Sequence, residues 1–252
     1  MNGRKFLIMN NNYYYLITGA SKGIGRSFLD LLVKKNLFAI VLVRNAKELS
    51  HIKNNPNIKI FQGDVTDDQM LNKIFDYIKK NKINVKYLIN NAGQRQRKNF
   101  LKISKKDIKK IFDVNFFSVF SLTQKYVKYS KNKNFICSVV NISSIVGSLG
   151  FENLSGYGST KSALDGLTKC LASEFKGKIR FNSIQPGFTK TSFYEKFKKN
   201  RKTLYKWTLS RIPMKRWANP KEIAELIFFL CSDNSSYING ETIKIDGGWS
   251  NT

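Results

Sequence analysis

The chain has little of several residue types on which familiar mechanisms depend. It holds one histidine, His51, in 252 residues, set in a polar, loop-like run. That leaves no Ser-His-Asp triad and no histidine-based metal site to build. Its three cysteines, Cys137, Cys170 and Cys231, are far apart and odd in number. They exclude a disulfide framework and a thiolate site, so no metal is expected, and they fit a reducing cytoplasm. No apolar run reaches the ~18 residues that a membrane span requires. Phe6-Leu7-Ile8-Met9 is too short for a signal-peptide core, with no small-residue cleavage site after it. Acids are also scarce: 17 Asp and Glu stand against 44 Lys and Arg, a net charge of +27. Such a surplus can mark a nucleic-acid binder. Here the cations are spread along the chain beside abundant Asn and Ile, as in a general compositional drift. Nucleic acid and membrane are therefore not expected partners, and the charge is left to suit an acidic substrate or partner.

What is present suffices for one large α/β domain with a substantial core. Residues 1–12 form a ragged polar extension, and residues 13–252 show no linker, repeat or low-complexity block. Apolar segments at 13–17, 38–43, 58–61, 87–89, 135–142, 179–185 and 242–245 have the composition of buried strands. Amphipathic stretches separate them, including a long one over 104–129 with Ser104 as its N-cap. Strands alternating with helices predict a doubly wound, mostly parallel sheet of seven strands covered on both faces. Residues 188–217 break that rhythm. They are rich in Lys, Arg and aromatics and are expected to form a substrate-covering lid with helical pieces.

The first strand feeds Thr18-Gly19-Ala20-Ser21-Lys22-Gly23-Ile24-Gly25 and then an amphipathic helix. Strand, glycine turn and helix are the layout of a dinucleotide crossover, in which backbone N–H groups at the helix start meet a pyrophosphate. The second strand ends Val43-Arg44-Asn45, without the acid that would bind a ribose 2′-hydroxyl. With Lys22 inside the glycine turn, Arg44 favours a 2′-phosphate, and hence NADP(H) over NAD(H). Asp64, after the third strand, is placed to contact an adenine. Asn90-Asn91-Ala92-Gly93 puts small residues at the carboxyl end of the fourth strand, where a ligand must come close.

Tyr157 and Lys161 are four residues apart and share a face if their segment is helical. An ammonium beside a phenol favours phenolate, so the pKa of Tyr157 is expected to fall below ~10 and allow proton exchange with an alkoxide. Ser144, at the end of a buried strand, can hydrogen-bond the same substrate oxygen. Asn115, between Val114 and Phe116, is an amide in an apolar stretch and needs partners wherever it lies.

In order and spacing, Thr18 to Gly25, Asp64-Val65, Asn90 to Gly93, Asn115, Ser144, Tyr157-x-x-x-Lys161, Pro186-Gly187 and Asp246-Gly247-Gly248 together resemble the classical short-chain dehydrogenase/reductases. The resemblance runs from Tyr14 to Trp249 and is nearest the 3-oxoacyl-carrier-protein reductases. The visible departures are the N-terminal extension and a short turn at Lys176-Gly177-Lys178. The resemblance implies an enzyme in which Tyr157 is the general acid/base and Lys161 tunes it and holds the nicotinamide ribose. Ser144 would orient the substrate, and Asn115 would position a water linking Lys161 to solvent. Gly19, Ser21, Lys22, Gly23, Ile24 and Gly25 would receive the pyrophosphate, with Arg44 at the ribose and Asp64 and Val65 at the adenine. Asn91, Ala92 and Gly93 would form the cofactor wall, and Pro186, Gly187, Thr189 and Thr191 would reach the carboxamide and pyrophosphate. It also implies a homodimer or homotetramer. Arg95 and Arg97 would draw an anionic carbonyl or alcohol substrate, whether a 3-oxoacyl group on an acidic carrier protein, a sugar acid, which the two arginines slightly favour, or a nucleotide- or phospho-sugar. From another class, a non-catalytic nucleic-acid binder or cofactor sensor on the same scaffold would not require the Tyr157, Lys161, Ser144 and Asn115 set.

Overall fold

The apolar six-residue runs become the inner strands of one sheet. In this computed structural model, which describes residues 13–191 and 194–251, β1 is Tyr13–Thr18, β2 Phe38–Val43, β3 Ile58–Gln62, β4 Asn84–Asn90, β5 Cys137–Ile142, β6 Ile179–Pro186 and β7 Thr242–Ile245. All pairings are parallel, in the order β3-β2-β1-β4-β5-β6-β7. The seven-stranded, doubly wound single domain expected from the sequence is thus the one observed. The extension over residues 1–12 lies outside the described residues.

Every residue of β5 and β6 is buried, as expected of strands covered on both faces. One face carries helices α1 (Gly23–Lys34) and, late in the chain, Pro220–Cys231; Phe28, Leu29, Ile223 and Ile227 pack there on Ile17, Val41 and Ile184. The other face carries α2 (Asp68–Lys80), with Leu71, Ile74 and Ile78 against Leu16, Leu42 and Leu88. Burying each such side chain contributes roughly 1.5–3 kcal/mol, which makes these two layers the main stabilising term.

The long amphipathic stretch begins where expected. Ser104 caps α3 (Lys105–Phe112) reciprocally with Asp107. It is not one regular helix, however: a π-helical turn, Asp113–Phe117, separates α3 from α4 (Ser118–Ser130). That turn holds Asn115. Helix α5 (Ser155–Glu174) follows β5, and the stretch over 188–217 contains α6 (Tyr194–Asn200) and α7 (Lys202–Arg211). Tyr194, Phe197, Trp217 and Trp249 form a separate aromatic core that fastens this stretch down. Helix α8 is Pro220–Cys231, with Pro220 in its first turn. No helix among the described residues is long and apolar enough to cross a membrane.

The strand order reverses between β1 and β4, so the crossovers from these neighbours leave in opposite directions. A crevice opens at their carboxyl ends, the usual ligand position in such sheets. Both the glycine turn and the Asn90 to Gly93 segment emerge there.

Candidate active site

A cleft of about 520 Å³ runs along the carboxyl edge of the sheet. Among the residues named from the sequence, Gly19, Ser21, Lys22, Gly23, Ile24, Arg44, Asp64, Val65, Asn91, Ala92, Gly93, Arg95, Ser144, Tyr157, Lys161, Pro186, Gly187, Thr189 and Thr191 line it. Gly25, Asn115 and Arg97 do not.

At one end, Gly19 and Gly23 have φ of +71° and +58°, which glycine adopts without strain. A Cβ on Gly19 would lie 2.8 Å from Ala92 Cα, and one on Gly25 would strike Asn91 Nδ2. The glycines therefore let the turn press onto the end of β4. Asn91 seals the junction: its side-chain amide donates to Thr18 O at 3.1 Å and Gly19 O at 2.8 Å. Helix α1 starts at Lys22 without a side-chain cap or an acid in its first turn. Its leading N–H groups are thus open to an anion, which suits a cofactor pyrophosphate. Replacing Gly19 by Ala forces a left-handed Cβ into the β4 backbone. Nucleotide binding in Gly19→Ala is expected to weaken by about tenfold or more, measured by calorimetry, since ~1–3 kcal/mol of strain falls on the cradle.

Beyond the turn, Asp64 accepts hydrogen bonds from Thr66 N at 2.9 Å and Thr66 Oγ1 at 2.8 Å. Burial acts to raise its pKa, but these bonds and the charge of Arg44 together hold it below the usual carboxylate range. Lys22 is also paired with an acid: Glu48 Oε1 is 2.7 Å from its ammonium. No residue pattern signals this pair, because the 3₁₀ turn Ala46–Ile52 folds Glu48 back from beyond β2.

At the other end, α5 brings Tyr157 and Lys161 onto one face, and the 3₁₀ turn after β5 begins at Ser144. The Ser144 hydroxyl lies near enough to that of Tyr157 to act on its pKa, and Ser144 Oγ accepts from Val146 N at 3.2 Å. Lys161 is buried, and its Nζ donates to Ile142 O at 2.7 Å while lying 5.8 Å from the Tyr157 ring centroid. One expectation changes here. The pKa of Tyr157 is raised: burial outweighs the lowering contributed by Ser144 and the charge of Arg95. The Lys161 ammonium is directed at a carbonyl rather than at the phenol. Its own pKa drops to about 8, because burial outweighs the attraction of Asp165.

Asn115 finds its partners in the loop after β4 and in α5. Oδ1 accepts from Gln94 N at 2.7 Å, and Nδ2 donates to Gln94 O at 2.9 Å and Thr160 Oγ1 at 3.1 Å. It therefore ties the Gly93 segment to the helix carrying Tyr157, and a Cβ on Gly93 would meet both Asn115 Oδ1 and Lys161 Nζ within 3.6 Å. Sequence reasoning also missed Asp165, one turn beyond Lys161, which accepts from Ser183 Oγ at 2.5 Å and Gln185 Nε2 at 2.7 Å. Helical period alone would have placed it on the Lys161 face. Ile145, Phe151, Phe188 and Trp217 form an apolar wall past Tyr157, and Arg95 stands at its rim within electrostatic reach of Tyr157, Arg97 and Arg201.

Residues 19–250 match the family described as enoyl-(acyl carrier protein) reductase. A 3-oxoacyl-(acyl-carrier-protein) reductase of Thermotoga maritima is 35% identical over 246 residues, covering 92% of this chain and 96% of that protein. Among solved structures, a 4-hydroxyisoleucine dehydrogenase complexed with NADH superposes with a TM-score of 0.90 at 31% identity, covering 96% of this chain and 100% of the other. ElxO with NADP bound does so with a TM-score of 0.88 at 30% identity and the same coverage. With the parallel sheet and its glycine-lined cleft, these matches establish that the chain belongs to the short-chain dehydrogenase/reductase family and is an NAD(P)-dependent oxidoreductase.

Proposed function

We propose that the protein reduces a 3-oxoacyl-type or other anionic keto substrate with NADPH, using Tyr157 as the proton donor. The observation that carries this reading is that Tyr157, Ser144 and the buried Lys161 line the same end of one cleft. The substrate carbonyl oxygen accepts hydrogen bonds from both hydroxyls, which polarises the carbon and fixes its orientation. The bound nicotinamide supplies the hydride for that carbon. As negative charge gathers on the oxygen, Tyr157 gives up its proton, and a protonated Lys161 stabilises the phenolate that remains. The Asn115 amide is already engaged by Gln94 and Thr160. Held in that place, Asn115 would position a water that links Lys161 to solvent.

Gly19 to Gly25 hold the pyrophosphate, Arg44 and Lys22 the 2′-phosphate, Asp64 and Val65 the adenine. Asn91 to Gly93 form the wall, and Pro186, Gly187, Thr189 and Thr191 lie at the nicotinamide end. Ile145, Phe151, Phe188 and Trp217 suit an acyl chain better than a polyhydroxylated sugar, and Arg95 and Arg97 suit an anionic group on it. The name of the Thermotoga relative agrees with that choice. The α6–α7 stretch acts as a lid over the substrate. Phe117 and Phe120, 52% and 44% exposed on one helical face, support assembly into a homodimer or tetramer. The free cysteines support a reducing cytoplasm.

A screen of NADPH and NADH oxidation against acetoacetyl thioesters, keto-sugars and keto-acids tests the reading. NADPH with an acetoacetyl thioester is expected to turn over fastest; faster turnover with NADH throughout contradicts the cofactor assignment. Charge reversal at Arg95 and Arg97 is expected to raise KM for anionic substrates about tenfold, a loss of ~1.4 kcal/mol. Neutral ketones should be unaffected, and an unchanged ratio of the two KM values removes the arginines from substrate binding.

A further inference from the structure

In a chain with 44 Lys and Arg against 17 acids, most cations must stand in water without a partner. Lys22 does not, although it lies on the cleft. Its ammonium is 2.7 Å from Glu48 Oε1, and the Ser21 hydroxyl acts on the same carboxylate. Glu48 is fixed from behind. Its carbonyl accepts from Arg26 Nη1 at 3.0 Å, Arg26 Nε is 2.7 Å from Asp30 Oδ1, and the neighbouring Leu49 is fully buried. The turn Ala46–Ile52 is thereby fastened to α1, the helix that Lys22 precedes. Arg44 in turn acts on both Glu48 and Asp64. Two cations of the cleft lining, Lys22 and Arg44, thus lie near two carboxylates, Asp64 in the same lining and Glu48 paired with Lys22 from behind it.

We propose that Glu48 is an internal counter-ion for Lys22, engaging the cation that with Arg44 would hold a 2′-phosphate, so that a 2′-phosphorylated adenosine must displace it to bind. Glu48 then sets how strongly the enzyme separates NADPH from NADH. The proposal rests on the assignment of Lys22 and Arg44 to the 2′-phosphate. A ribose bearing only hydroxyls leaves the Lys22–Glu48 pair in place, whereas a phosphate dianion must break it and remain beside a carboxylate. The Lys22 ammonium, against the opposing effect of burial and with a lesser contribution from Ser21, holds the Glu48 pKa low, so the carboxylate is charged at neutral pH. Lys22 is 60% exposed, so the pair is a surface ion pair and its effect is graded rather than absolute.

The test is the dissociation constants of NADPH and NADH, by calorimetry, for the wild type, Glu48→Gln, Lys22→Gln and the double variant. Glu48→Gln is expected to raise the ratio Kd(NADH)/Kd(NADPH) by about fivefold, the scale of a surface ion pair, through tighter NADPH binding with NADH unchanged. In the Lys22→Gln background the same change is expected to give less than about twofold. A ratio that stays level or falls in Glu48→Gln overturns the counter-ion. So does an undiminished gain without Lys22, which would assign the effect to charge at a distance. If the wild type prefers NADH but the ratio still rises in Glu48→Gln, the NADPH assignment fails and the counter-ion stands; the two failures are therefore distinguishable.

Discussion

Tyr157→Phe lowers kcat for ketone reduction by about 10²–10⁴-fold, the range supplied by a positioned general acid, and leaves the Kd for the nicotinamide cofactor within about twofold. The selectivity of this result follows from geometry. Tyr157 lines one end of the cleft with Ser144, while the glycine turn and the start of α1 occupy the other. Phenylalanine keeps the ring and its packing on α5 and removes only the oxygen proposed to orient the substrate and carry the proton. The raised pKa of Tyr157 favours this role in the reductive direction, because the group holds its proton until an alkoxide stronger than phenolate takes it. Measuring kcat and cofactor affinity on one preparation checks the split. A parallel loss of both would assign Tyr157 to binding instead.

Lys161→Met is expected to reduce kcat/KM by about 10²–10³-fold, a loss of ~3–4 kcal/mol of transition-state stabilisation, while raising the melting temperature of the unliganded protein. The second effect comes from desolvation. Folding moves the Lys161 pKa from 10.5 down to about 8. Between these values the unfolded chain binds a proton that the folded chain does not, so stability rises with pH across that window. Below pH about 8 the folded protein carries a buried ammonium at a cost of roughly 3 kcal/mol. Methionine removes that cost but also loses the 2.7 Å charged hydrogen bond to Ile142 O, which offsets about 1.5–2 kcal/mol. The net gain corresponds to about 2–6 °C by thermal unfolding. A lower melting temperature would mean that Lys161 is held for stability and not for chemistry.

Much of this arrangement could be read from residue order. Runs such as Phe38–Val43 can only be satisfied inside a covered parallel sheet, and the spacing of Tyr157 and Lys161 places them together once α5 forms. Ser104 and Asp107 announced their cap. The rest depends on contacts between distant segments. The π-helical turn at Asn115 has no local signal; it arises where that amide is caught by Gln94 and Thr160. Glu48 reaches Lys22 because its turn is pinned to α1 by Arg26. The direction of the Tyr157 pKa shift could not be taken from its distance to a lysine, since desolvation by the folded cleft outweighs the nearby charges.

Steady-state rates can be limited by product release rather than by chemistry. The most direct test is therefore a single turnover: enzyme preloaded with one equivalent of NADPH is mixed with an acetoacetyl thioester, and the loss of reduced-nicotinamide absorbance is followed. The wild type is expected to lose that absorbance in one rapid phase, whereas Tyr157→Phe, with NADPH bound, retains it over the same interval. A rapid phase in Tyr157→Phe at the wild-type rate would contradict proton donation by this phenol.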